Sequence, residues 1–284
     1  MLKKMKNIIL IFAFIILFLQ GRSQENIFDN HVHIWEGEKS VQKYIKELDS
    51  TGQTVTKFGA IHMAVKGKLE ETKKKNNELI ELSKKYKQLL PICSVHPLDG
   101  EMAIKELERI AKLGVNIIKL HPHKNSQNFD VTDDKVYTLC KKAGELNIAV
   151  LMDNASIVPG DCQKLFDLAV RCPKTRFVFA HMGTLDFRFW NILPLVRTAN
   201  DFFMDNIYFD ISGTVVLLAN SPLEEEFIWT MRNVGIDKVF LGSDFPQMTL
   251  KQASDALEKL DLTPEEKKKI RFENGKHLLF PDKR

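Results

Sequence analysis

Only four cysteines occur in 284 residues, and no two are spaced as Cys-x-x-Cys, which excludes a thiolate metal site. Cys162 and Cys172 fall near opposite ends of one predicted helix. Ten residues at 1.5 Å rise hold them about 15 Å apart there, too far to bridge. Cys93 reads as a strand residue and Cys140 as a helical one, so buried free thiols are expected. No Pro/Gly/Ser-rich stretch interrupts the chain, which offers no linker at which to divide it. No apolar run reaches the roughly 20 residues needed to span a bilayer. No Gly-rich turn follows the first apolar strand, which argues against a dinucleotide-binding open sheet.

The longest apolar run, Ile8 to Leu19, has 12 residues. Lys3, Lys4 and Lys6 precede it and a short polar stretch to Ser23 follows it, the order of an export signal. Residues 1–23 are therefore expected to direct export to the periplasm or medium and then be removed, leaving no permanent membrane anchor. Residues 24–284 are expected to form a single domain. That leader carries four bases and no acid, so 41 bases against 37 acids become 37 against 37. A neutral mature surface gives no electrostatic basis for binding nucleic acid. A small molecule is the partner expected, and a homo-oligomer is compatible with such a surface. Lys73, Lys74 and Lys75 lie among Glu70, Glu71 and Glu78 at helical spacing and read as a solvated helix face.

What the chain does have is eight alternations of a short β-rich apolar run with a longer amphipathic stretch. The predicted strands are 27–31, 57–63, 90–95, 116–120, 148–152, 176–180, 206–211 and 238–243. Helices are predicted near 40–50, 70–86, 100–113, 132–146, 160–171, 187–199, 222–234 and 250–260. A ninth, from Pro264 to Leu279, starts with Thr263 as its N-cap. Each parallel strand needs a crossover helix, so the expected fold is α/β, a (β/α)8 TIM barrel with an additional C-terminal helix.

Chemistry in such a barrel sits at the C-terminal ends of the strands. Seven of the eight histidines fall there: His31, His33, His62, His96, His121, His123 and His181, with only His277 elsewhere. Period-two alternation places Phe177, Phe179 and His181 on one side of strand 6, opposite Val178 and Ala180. It likewise groups Ala149, Leu151 and Asp153, then Phe240, Gly242 and Asp244, and sets Lys119 and His121 opposite Ile118 and Leu120. His31, His33, Asp153, His181 and Asp244 are thus expected to meet at one mouth. A strand His-x-His puts two imidazoles about 7 Å apart at the backbone, within reach of one cation. His62 reads as a core histidine, and His123 and His277 as loop or solvent residues. Asp210 and Ser212, ending strand 7, read as either supports of the site or substrate contacts.

The segments "DNHVH" (29–33), "VNIIKLHP" (115–122), "FVFAHMG" (177–183), "NIYFDIS" (206–212), "VFLGSDFP" (239–246) and "KIRFENGKHLLF" (269–280) resemble the amidohydrolase superfamily. The similarity is to the amidohydrolase-related branch, which includes aminocarboxymuconate-semialdehyde decarboxylase, aromatic-acid decarboxylases and dicarboxylate lactonases. The resemblance implies His31 and His33 as strand 1 metal ligands and Asp244 as strand 8 ligand and proton acceptor. It implies His181 as a ligand or polarising group, and Lys119 as the strand 4 lysine that some binuclear relatives carbamylate. Mononuclear members usually carry a strand 5 histidine where this chain has Asp153, a residue that can still ligate. One divalent ion, Zn²⁺, is accordingly expected on His31, His33, Asp153 and Asp244. The branch also contains metal-independent lactonases lacking the strand 5 histidine.

Catalysis is assigned to Asp244, His181 and Lys119, and substrate contacts to His121, His96 and Arg188, the one arginine closely following a strand end. The expected reaction is hydrolysis of a lactone, ester or amide. The alternatives are decarboxylation of an aromatic or unsaturated acid, and a non-catalytic binding barrel.

Overall fold

In the computed structural model, which describes residues 26–156, 160–199 and 202–279, strand and helix alternate throughout. The strands are β1 (Phe28–His33), β2 (Lys57–Ile61), β3 (Leu89–Ser94) and β4 (Ile117–Leu120), then β5 (Ala149–Asp153), β6 (Phe177–Ala180), β7 (Ile207–Asp210) and β8 (Val239–Phe240). All neighbours pair in parallel, in the order β1 to β8. The ring closes through backbone bonds. Asn30 N–H donates to the Leu241 carbonyl at 3.1 Å, His33 N–H to Phe245 at 2.8 Å, and Asp244 N–H to His31 at 2.9 Å. This is the predicted (β/α)8 barrel. The leader and the side chain of His277 lie outside the described residues, and no described helix is long and apolar enough to cross a membrane.

Two apolar layers result. Phe28, Ile61, Leu90, Ile117, Leu151, Val178 and Phe240 fill the interior, while the opposite faces of the strands pack under the helices. All four cysteines are buried and free.

The β6 alternation differs from expectation. Val178 and Ala180 point into the barrel, and Phe177 and Phe179 pack outward with Trp190 and Phe209. The larger rings fit the wider helix layer better than the narrow interior. His181 nevertheless reaches the mouth, because its backbone turns left-handed at φ 63° and resets the side-chain direction. The predicted helix 187–199 is instead split between the end of a 3₁₀ stretch, His181–Ile192, which is kinked at Met182, Gly183 and Thr184, and a short α-helix, Leu193–Val196. Strand β8 is shorter than predicted, since Gly242 to Asp244 leave its ladder to bond β1.

The C-terminal segment, Pro264 to Leu279, plugs the barrel's N-terminal end. Phe272 packs on the interior cluster and Gly275 lies against the Phe28 ring, where an added Cβ would meet Cδ1 at 2.5 Å. Asn274 Nδ2 donates to the carbonyls of Ile236 and Val239 at 2.6 and 2.8 Å, pinning the start of β8.

Candidate active site

Five strand ends deliver the polar residues to one place. His31 and His33 end β1, and their Nε2 atoms lie 3.5 and 3.2 Å from Asp244 Oδ1 after β8. His181 stacks on His31, with ring centroids 5.3 Å apart. The donor atoms of His31, His181 and Asp244 lie within 4.8 Å of one another. Asp244, like His181, is left-handed, at φ 62°. For non-glycine residues that conformation costs on the order of 1–3 kcal/mol, and closure of the ring around β1 and β8 holds it in place.

Asp153 lies among basic side chains, His181 included. Its carboxylate lies 3.1 Å from His123 Nε2, 3.3 Å from His181 Nε2, 3.5 Å from His121 Nε2 and 3.7 Å from Lys119 Nζ. Lys119 is fully buried, and its Nζ also lies 3.2 Å from His31 Nε2. Burial opposes the charge of Asp153, but bonds from His123 and His181 and the Lys119 charge hold its carboxyl well below the usual range. Burial also opposes a charge on His181, yet the Asp153 carboxylate pushes it up to about 9. His31 and His121 go the other way. Burial and the Lys119 charge lower His31, and burial carries His121 down to about 4. Asp244 is also buried, but the neighbouring imidazoles of His31 and His33 keep its carboxyl below its ordinary value.

A cation would fit this donor set. His31 Nδ1 is bonded to Asp210 Oδ2 at 2.6 Å, and His181 Nδ1 to the Ser212 carbonyl at 2.8 Å. Engaging the outer nitrogen of each ring aims the inner Nε2 at a common point, the usual support of metal-bound imidazole. The converging set differs from the one expected. His181 joins His31 and Asp244 there, while Asp153, expected as a ligand, lies among four basic groups of which His181 is one. His33 faces Asp244, with a buried Nδ1 that has no hydrogen-bond partner among the described residues, and stacks on Trp35 at 4.5 Å.

Two residues expected to contact substrate have protein partners of their own. His96 donates from Nε2 to the Gln127 carbonyl at 2.6 Å and accepts at Nδ1 from Leu98 N–H. Both nitrogens are used, so it anchors the loop after β4. Gln127 completes that anchor, accepting from His121 N–H at 2.9 Å and donating to the Val95 carbonyl at 3.0 Å. Arg188 is exposed, and Glu226 holds its guanidinium through two bonds of 2.6 and 2.7 Å. His123 lies in the loop after β4, as expected, and also touches Asp153, a contact whose signal was the "HPH" spacing that repeats the His-x-His of β1. His62 is buried with Nε2 on the Asn76 amide oxygen, consistent with a core role.

A sequence profile of the family described as Amidohydrolase matches residues 29–280. The chain belongs to the amidohydrolase family. Similar solved structures include 5-carboxyvanillate decarboxylase from Sphingomonas paucimobilis, with TM-score 0.67 and 13% identity over 89% of this chain and 98% of that one. A dihydroxybenzoic acid decarboxylase from Polaromonas, solved with bound manganese, gives 0.62 and 16% over 90% and 96%. The 4-oxalomesaconate hydratase from Rhodopseudomonas palustris gives 0.63 and 17% over 89% and 95%. At these identities the likeness speaks to the fold. Among curated proteins none matches the chain in sequence.

Proposed function

We propose that this amidohydrolase-family protein is an exported, metal-dependent hydrolase of a small carbonyl compound, a lactone, ester or amide. One observation carries the reading: imidazole nitrogens of His31 and His181 and the Asp244 carboxylate converge within 4.8 Å at the barrel mouth. His31, His181 and Asp244 would hold one divalent ion, with His33 beside Asp244. When bound, such an ion polarises a carbonyl and lowers the pKa of coordinated water. A Zn²⁺ ion suits two imidazoles and a carboxylate, and the manganese of the Polaromonas neighbour makes Mn²⁺ the second ion to test. Export rests on the basic-then-apolar order of residues 1–23.

The protein's own groups divide the work. Asp244 is ionised and 3.2 Å from His33 Nε2, a position from which it takes the proton of an attacking water and passes it on. Lys119, fully buried beside His31 and Asp153, would stand where negative charge develops on the substrate oxygen. His121 and His123 flank Asp153 on the loop that Gln127 and His96 anchor, and would line the substrate side of the mouth.

Decarboxylation is the second reading, favoured by the several decarboxylases among the similar structures. Against it, the arginines nearest the later strand ends are engaged elsewhere: Arg188 by Glu226, Arg197 by Asp205 and Arg232 by Glu266. A substrate carboxylate would have to be held by Lys119 and the imidazoles alone. The deciding experiment loads purified protein with Zn²⁺ or Mn²⁺ and screens lactones, esters, amides and aromatic acids. Hydrolysis lost in Asp244→Asn supports the proposal. CO₂ release assigns the lyase reading, and full hydrolytic activity in Asp244→Asn removes the assigned proton acceptor.

A further inference from the structure

We infer that Asp210, ending β7, is a positioning residue that fixes His31 as its Nδ1–H tautomer and so turns the Nε2 lone pair into the mouth. The inference builds on the cation site proposed above. Its basis is a proton count around one buried carboxylate. Ser212 N–H, which can only donate, bonds Asp210 Oδ1 at 2.7 Å. Ser212 Oγ donates to Oδ2 at 3.0 Å, and His31 Nδ1 meets that same Oδ2 at 2.6 Å, a length typical of a charge-assisted bond. A carboxylate with all these partners acts as acceptor, so the proton on His31 belongs at Nδ1. His31 Nε2 is then a lone pair facing Lys119 Nζ and Asp244. The Ser212 carbonyl fixes His181 the same way, 2.8 Å from its Nδ1, and Ser212 Oγ lies 3.1 and 3.2 Å from the two Nδ1 atoms. Asp210, ending β7, and Ser212, two residues further on, thus orient the imidazoles of His31 in β1 and His181 just after β6.

The arrangement makes Asp210→Asn an inversion rather than a simple loss. Ser212 N–H obliges the amide oxygen to occupy the Oδ1 position, which leaves the NH₂ facing His31 Nδ1. That ring then presents a lone pair outward and a hydrogen, on Nε2, toward the cation site. In a Ser-His-Asp triad the corresponding Asp-to-Asn change leaves geometry intact but selects the wrong tautomer and lowers turnover about 10⁴-fold. Ser212→Ala keeps both backbone groups and removes only the hydroxyl, so it keeps the tautomer.

The test reads the tautomer directly, without needing a substrate. In metal-free protein labelled with ¹⁵N-histidine, two-bond ¹H–¹⁵N spectra at pH 7 are expected to show His31 protonated at Nδ1 in the wild type and Ser212→Ala, and at Nε2 in Asp210→Asn. Zn²⁺ affinity, measured by competition with a chromophoric chelator, is expected to fall about 100-fold in Asp210→Asn and less than about 10-fold in Ser212→Ala, the scale of effects seen for groups that orient metal ligands. A wild-type His31 carrying its proton on Nε2 overturns the inference, as does an Asp210→Asn protein with unchanged tautomer and affinity. Should Asp210→Asn fail to fold, the wild-type spectrum alone decides. A wild type with the Nδ1–H signature that binds no Zn²⁺ supports the tautomer assignment and overturns the cation reading instead.

Discussion

Gly242 is a single-atom probe of how tightly the strand ends are fitted together. A Cβ added there would lie 2.7 Å from Asp210 Oδ1, 2.9 Å from His31 Cβ and 3.0 Å from Ser212 Cβ. Two of these neighbours are Cβ atoms fixed to their own strands, and the third is a carboxylate oxygen held by Ser212 N–H. None can yield as a flexible chain end would. Forcing one methyl into a packed interior costs roughly 1–3 kcal/mol. If relief comes by displacing Asp210, its charge-assisted bond to His31 is weakened as well, at about 1.5–3 kcal/mol. Gly242→Ala should therefore lose about 1–3 kcal/mol, or about 2.5–6 kcal/mol if Asp210 is displaced. For a chain this long each kcal/mol moves Tm by roughly 2–4 °C, so a mid-range loss of about 3 kcal/mol lowers Tm by about 6–12 °C. The assay pairs thermal denaturation by circular dichroism with Zn²⁺ titration, which should weaken because His31 moves. A Tm within 1 °C of wild type and an unaltered Zn²⁺ affinity would refute the claim that these strand ends are packed without slack.

The other expectations can be checked with the same material. Burial pushes Asp29 up to about 6, against the bonds it accepts from Ser243 N–H, Tyr44 and His31 N–H. An acid held above its unfolded value near 3.9 binds its proton more tightly in the native state, so stability falls as pH rises from about 4 to 6, by up to about 3 kcal/mol. Asp29→Asn keeps the acceptor for both N–H groups and does not titrate. Relative to wild type it should gain across that window, and a pH-independent difference in urea midpoints would contradict this. Chelation of a bound divalent ion should lower Tm, since an ion at 100 times its Kd stabilises by about 2.7 kcal/mol, whereas no shift with EDTA speaks against a resident ion. Arg188→Ala should leave turnover unchanged and cost under about 1 kcal/mol, because its partner Glu226 is on the exposed flank; a large rise in KM would restore it as a substrate contact.

The barrel was legible because strand and helix periods are local properties of the chain, and because the interior and the helix layer each leave a periodic apolar trace. The identities of the gathering residues were legible too, as polar groups at the ends of apolar runs. Their roles were less so. Alternation misplaced Phe177 and Phe179, since it assumes a continuous strand and cannot register the left-handed turn at His181. His96 looked like a site residue because its position is right, and only the Gln127 carbonyl at 2.6 Å shows its nitrogens to be used. Arg188 follows a strand end in sequence but faces Glu226 in space.

By itself, the sequence determined eight β/α units, the mouth at which their ends meet, and the imidazoles and carboxylates placed there. Hydrophobic periodicity is enough to decide these, because burying apolar area depends on which face a residue occupies and not on its exact partner. Only the tertiary structure decided that Asp153 is surrounded by basic groups while His181 joins His31 and Asp244, and that β7 aims both rings. Those are contacts between residues as many as 213 positions apart in the chain, set by ångström-scale geometry that strand closure fixes and no local pattern encodes.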